Sequence, residues 1–469
     1  MPIRVHGRTA AVGVVLLACV ACATSQGSAP RSTFTPLNGP TTPLPSTPAP
    51  AAPEDCGSYA APDPDRPVLS LDLTVTGRMV TGREQVRFIP DQPITELVFR
   101  LWAGAPRAAA AGGSADVSSL RIDGAPHRFV RTSPTLVEVP WRGAKGVPLT
   151  VDLDFSEVLP TGADERLGNR GSTSWLGSGF PLLAWERGRG WAKEPATAAF
   201  AEASTSEDMQ LARLTVRHDV GLSVIATGGI VSESPTATVT SALAVRDVAV
   251  AVGAFRVVTL DVPNRVQVGV DPTLPDDPHA VAAELTRALA AHAQRFGPYP
   301  YDRLAVAVLP DIRGGIEYPG TILLGSRQDK DATASHEVAH QWFYGLVGDD
   351  QARDPWLDEG FATYAEAVDR RSGASYRAVT IPADGVGKAG HPMTFWAGRP
   401  SYFRSVYLQT AVALLKARSL DPQGFDAQVR CYVAHLAHRI ATPADVAREI
   451  PLAVPALTHA GALRGVSAR

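Results

Sequence analysis

Cysteine is scarce in this chain, with four among 469 residues, and no long run of like charges occurs. Forty-four basic residues nearly balance forty-seven acidic ones, for a formal charge of -3, so nothing electrostatic points to a nucleic-acid partner. Also missing is an apolar run of the ~20 residues that a membrane-spanning helix needs. The apolar stretch that begins near Ala10 lasts only about a dozen residues. No internal repeat is present, which sets aside solenoids and propellers. What remains is a globular chain, 45% hydrophobic and 19% charged, long enough for two or three domains with sizeable cores.

Residues 1–22, MPIRVHGRTAAVGVVLLACVAC, place Arg4 and Arg8 before that apolar stretch and end in small residues and two cysteines. This is the pattern of an export signal. LLAC, ending at Cys19, resembles the lipobox of bacterial lipoproteins, whose cysteine becomes the acylated N-terminus. Cys22 is the rival, because choosing it leaves Cys56 and Cys431 as an even pair in an exported protein. The expected location is the outer face of the cytoplasmic membrane, with the lipid anchor as the membrane contact. Residues 23–64 are dense in Pro, Ser and Thr and cannot bury a core, so they read as a linker. Cys56 and Cys431 either pair in an oxidising compartment or stay as buried thiols; their spacing fixes no geometry.

From 65 to 262 the dominant period is two. Leu69, Leu71, Leu73 and Val75 alternate with polar residues, as do Leu97, Phe99 and Leu101, then Leu149, Val151, Leu153 and Phe155, then Val248, Val250 and Val252. Turn signals such as Thr76-Gly77 separate the runs, which predicts a mostly antiparallel β domain. Near Pro278 the period changes. Asp277 as N-cap, Pro278 at the first helical position and Gly297 just past the end punctuate a helix. A strand at 304–309, the loop PDIRGGIEYPG, a second strand TILL and a histidine-bearing helix follow. The expected class is α+β, with a second domain at 263–415 and a short helical region at 416–469.

That helix carries HEVAHQWFYG at 336–345. Residues four apart share a helix face, so His336 and His340 would hold one ion between them. A catalytic metal site needs a third protein ligand and an open position for water. Eighteen residues separate Glu359, in WLDEGFATY, from His340, room for the helix to end near Gly345, turn, and send a second helix back beside it. HEVAH with a glutamate at this distance resembles the zinc site of the aminopeptidase N and leukotriene-A hydrolase family of gluzincin metallopeptidases.

The resemblance implies one Zn²⁺ per chain, held by His336, His340 and Glu359, in a thermolysin-like catalytic domain. Glu337 would then act as general base towards the attacking water. GGIEYPG at 314–320 resembles the family's Gly-Ala-Met-Glu-Asn motif, which implies substrate contacts at Gly314, Gly315 and Glu317, the last on a free amino group; Tyr318 replaces the usual asparagine. SVYLQTAVALL resembles the segment with the catalytic tyrosine, here Tyr407, with Tyr402 as competitor; Gln409-Thr410 stands in place of the usual Lys-Gly. Peptides are the implied substrates, added along the edge of the TILL strand with the N-terminus stopped at Glu317. Aminopeptidase is the expected activity. A zinc endopeptidase and a non-catalytic, zinc-stabilised surface-binding protein are the alternatives. Residues 416–469 leave room for a few helices that close one side of the catalytic domain.

Overall fold

The computed structural model of the chain describes residues 56–162, 165–197, 207–261, 264–326 and 330–464, with the side chain of residue 330 left aside. The export signal, Cys19, Cys22 and most of the linker lie outside the described residues. Among the described residues no helix is long and apolar enough to cross a membrane.

The period-two segments form strands. An eight-stranded sheet runs in the spatial order Gly229–Ser234, Ala237–Val245, Met209–Arg217, Val68–Thr76, Met79–Phe88, Leu149–Val158, Ser114–Ile122, Ala125–Pro126. All its neighbours are antiparallel except Val68–Thr76 with Met209–Arg217. Leu69, Leu71, Leu73 and Val75 point inward and are at most 3% exposed, each burial contributing roughly 1.5–3 kcal/mol. Two four-stranded sheets close the same core, one built on Thr173–Gly177 and Ala249–Gly253, the other on Ile94–Arg100 and Leu136–Gly143.

A five-stranded mixed sheet follows, in the order Arg256–Leu260, Arg265–Val270, Arg303–Leu309, Thr321–Gly325, Gly315–Tyr318. The run RLAVAVL is buried throughout because both of its faces are covered. Leu304, Val306 and Val308 face the helical core, while Ala305, Ala307 and Leu309 meet Trp175, Ile225 and Ala251 of the β region. The two halves therefore share buried surface, and the described residues fall in one compact unit. Strand Arg256–Leu260 pairs with Arg265–Val270, so the sheet runs across the expected division at 262/263. The expected division at 415/416 falls inside the helix Gln409–Leu420.

Helix Pro278–Phe296 is punctuated as its sequence predicts: the Asp277 side chain accepts from His279 N, and Gly297 ends it at φ 109°. Helices Gln409–Leu420, Pro422–Leu436, Pro443–Glu449 and Val454–His459 complete the core around the catalytic half. The cysteine question, open in the sequence, is resolved: Cys56 and Cys431 form a disulfide across 375 positions.

Candidate active site

The histidine helix spans Lys330–Ala339, shorter than the expected end near Gly345. His340 keeps a helical bond to His336 O at 3.3 Å, after which Gly345, Leu346 and Val347 bond back five residues, to His340, Gln341 and Trp342. Tyr344 takes φ 114° in this tight reversal. The chain then returns as the helix Trp356–Asp369, which brings Glu359 beside the histidines.

His336 Nε2 lies 3.1 Å from His340 Nε2 and 3.1 Å from Glu359 Oε2, and His340 Nε2 lies 3.5 Å from Glu359 Oε2. Donors bound tetrahedrally at ~2.0–2.1 Å stand ~3.3 Å apart, so this triangle has the edge length of a zinc ion's first three ligands. Two imidazoles and a carboxylate also suit that ion. The outer contacts fit as well. His340 Nδ1 sits 2.5 Å from Asp358 Oδ1 and 3.1 Å from Phe343 O, which turns Nε2 towards the triangle. His336 Nδ1 lies 3.7 Å from Glu366 Oε2.

By themselves these side chains share protons. Burial opposes charge on His336, but contacts from Glu359 and Glu366 outweigh it and raise the imidazole to about 10. Burial alone would raise Glu359, yet bonds from the two histidines hold it down to about 2. A cation taking the triangle would meet an ionised carboxylate and displace the imidazole protons.

Glu337 is 4% exposed, and its Oε2 has no hydrogen-bond partner among the described residues. Burial pushes it up to about 7. Its carboxylate is packed against Gly315, where an added Cβ would stand 2.4 Å from Glu337 Cδ. Gly314, at φ 84°, makes the bend that delivers this close approach. Glu317, Glu337 and His340 offer polar atoms all within 4.8 Å of one another. Burial pushes Glu317 up to about 8, with His340 opposing and Asp358, Glu359 and Glu337 adding to the rise. Its Oε1 accepts a bond from Gln351 Nε2 at 2.8 Å.

The segment expected as a loop contains the strand Gly315–Tyr318, folded antiparallel onto Thr321–Gly325 through Pro319-Gly320, with Gly320 at φ 67°. The sheet edge is therefore this strand and not TILL, whose outer side it covers. Gln341 straps the hairpin to the histidine helix, donating to Tyr318 O and accepting from Gly320 N.

Tyr407 lies on a π turn, Arg404–Leu408, a geometry frequent at functional sites. Its hydroxyl donates to Glu359 Oε1 at 2.5 Å and its ring stacks 6.0 Å from His336. Tyr402 packs edge-on to the Tyr407 ring at 5.6 Å and is 3% exposed. All the residues singled out around HEVAH, GGIEYPG and Tyr407 thus converge on one site. Sequence reasoning missed Asp358, Glu366, Gln341 and Gln351. Asp358 precedes Glu359, and Glu366 stands seven residues after it on the same helix face, so those two had a signal in spacing. Gln351 had none.

Residues 283–373 match the family model described as Peptidase family M1 domain. Over 145 residues the chain is 32% identical to rat aminopeptidase N, covering 27% of this chain and 15% of that protein. Over 86 residues it is 36% identical to rat endoplasmic reticulum aminopeptidase 1, covering 15% of this chain and 9% of that protein. The matched part is thus a small fraction of those relatives' length. Among solved structures, an M1 zinc metallopeptidase from Deinococcus radiodurans aligns with a TM-score of 0.64 at 20% identity, over 86% of this chain and 95% of that one. A variant of that protein bound to a Tyr-Ser-Ala substrate aligns equally well.

Proposed function

From the premise that the chain carries an M1 peptidase domain on the fold of M1 zinc metallopeptidases, we propose that it releases N-terminal residues from peptides, with one Zn²⁺ held by His336, His340 and Glu359. The observation that carries this reading is that Glu317 and Glu337 offer polar atoms within 4.8 Å of each other and of His340, a member of the triangle, with Glu337 packed against Gly315. The ion would polarise the scissile carbonyl and acidify water from 15.7 to about 7. Glu337, buried and raised to about 7, takes the proton of the attacking water and returns it to the leaving amine. Tyr407, whose one hydroxyl hydrogen goes to Glu359 Oε1 in this structure, would turn it to the developing oxyanion. The strand Gly315–Tyr318 pairs with the extended substrate by main-chain bonds, and Glu317 receives its ammonium group. A substrate cation also favours the ionised form of Glu317 against its burial.

Glu337→Gln is expected to keep stoichiometric zinc and lose peptide hydrolysis by at least about a hundredfold. Retained activity would remove the mechanism. In the same assay, N-acetylation of the peptide should abolish most turnover by the wild type. Equal cleavage of free and acetylated peptides at internal bonds would replace the aminopeptidase reading by the endopeptidase one.

An exported, lipid-anchored location is part of this proposal. The sequence up to Cys22 supports it, and so does the Cys56–Cys431 disulfide, a bond of oxidising compartments. Changing both Cys19 and Cys22 to serine should move the protein out of the membrane fraction; unchanged partition would place the anchor elsewhere.

A further inference from the structure

Gln351, on the turn between the histidine helix and its partner, is 2% exposed. Its Nε2 donates to Glu317 Oε1 at 2.8 Å and to Asp358 Oδ2 at 2.6 Å. An amide nitrogen carries two hydrogens, so both are used, one on each carboxylate. Asp358 in turn places its other oxygen 2.5 Å from His340 Nδ1. The chain of contacts therefore runs from the proposed amino-group site, through one neutral side chain, to the partner of a proposed metal ligand.

We propose that Gln351 is a positioning residue that sets Glu317 for the substrate ammonium and Asp358 for His340 at the same time. The chemistry explains why an amide stands there. Two carboxylates bridged by a donor are held apart from direct repulsion, yet the donor brings no charge. A lysine or arginine in its place would neutralise Glu317 and compete with the substrate's own cation. A carboxylic acid would have at most one proton for the two neighbours. The amide leaves the negative charge of Glu317 to the substrate and fixes its direction. Gln351 donates to Glu317 and Asp358 and so acts through them. The inference rests on the reading of Glu317 as the amino-group site.

The test is Gln351→Met, which keeps the length of the side chain and removes both donors. Zinc affinity is measured by chelator competition on the full chain, with no substrate present. An outer-shell contact of this kind is worth roughly 10- to 100-fold in metal affinity, and that weakening is expected. At saturating zinc, KM for a free-amine peptide should rise roughly tenfold, with kcat changed less, while an N-acetylated peptide shows no added loss. Wild-type zinc affinity or an unchanged KM in the folded variant overturns the proposal. If the methionine variant does not fold, Gln351→Asn replaces it: the shorter amide cannot span both carboxylates, so the same two quantities should move in the same direction, and wild-type values again overturn it. Should the wild type cleave no free-amine peptide, the aminopeptidase reading fails on its own, and the zinc measurement then decides the proposal.

Discussion

At the scale of single residues, the site is governed by close approach. Gly315 has an ordinary backbone conformation, so alanine would be allowed there but for one neighbour: its Cβ would meet the Glu337 side chain at 2.4 Å. The flexible carboxylate is what must yield, and it is also the proposed base. Gly315→Ala should therefore cost little stability and keep zinc, while kcat/KM falls on the order of a hundredfold, as expected when a reacting group moves by about an ångström. Zinc content together with steady-state kinetics checks this, and activity within a fewfold of wild type would show that Glu337 has room to move without loss. The convergence of His336, His340 and Glu359 was legible beforehand because four-residue spacing on a helix and a glutamate on a returning helix are local facts. Gln351 was illegible because its meaning lies in two carboxylates from different elements, and nothing local marks a glutamine on a turn.

Among the secondary-structure elements, the punctuated helix Pro278–Phe296 supports the histidine helix from behind. His292 is fully buried on it, and its Nε2 lies 2.9 Å from Ser335 O, next to His336 in sequence. A carbonyl only accepts, so Nε2 carries the hydrogen and Nδ1 is left with no partner among the described residues. Burial pushes this imidazole down to about 4. A folded value below the unfolded one of about 6.5 means that the unfolded chain takes up the proton first. The stability due to neutral His292 is thus complete above about pH 6.5 and is lost as pH falls towards 4, amounting to roughly 2 kcal/mol lost at pH 5. Denaturant melts at pH 7 and pH 5 should show a smaller acid loss in His292→Gln than in the wild type, by about that amount; equal losses would mean that His292 is charged when folded. The helix itself was readable from Asp277, Pro278 and Gly297. The strand Gly315–Tyr318 was not, because two glycines and a Pro-Gly pair signal a turn, and only pairing with Thr321–Gly325 makes the segment extended.

Across the whole molecule, alternation decides more than the sequence pattern discloses. RLAVAVL reads as buried on both sides, but the partner of each side is a matter of topology: alternate residues of one strand enter two different cores, so the β region and the catalytic half share buried surface. The disulfide belongs to the same scale. It joins Cys56 to Cys431, and the segment that follows Cys56 lies on the catalytic half: Ala60 N donates to Ala434 O at 2.9 Å, and the Tyr59 hydroxyl donates to Pro298 O at 2.6 Å and accepts from Trp342 Nε1 at 3.1 Å. Trp342 follows His340 by two residues, so the stapled segment covers the reversal that ends the histidine helix. Closing so long a loop restricts the unfolded chain strongly, and removal of a native disulfide costs typically 2–5 kcal/mol. Cys56→Ser with Cys431→Ser should lower stability by about that amount, and should also free the segment around Tyr59, because its remaining hold is a few hydrogen bonds and partial burial. Calorimetry reads the first effect, and faster proteolysis near residues 56–66 together with altered Trp342 fluorescence reads the second. The disulfide lies on other segments than His336, His340 and Glu359, so zinc should stay bound in the variant at room temperature. An unchanged melting temperature with unchanged proteolysis would mean that packing alone holds the segment, and that the bond adds nothing to the folded state.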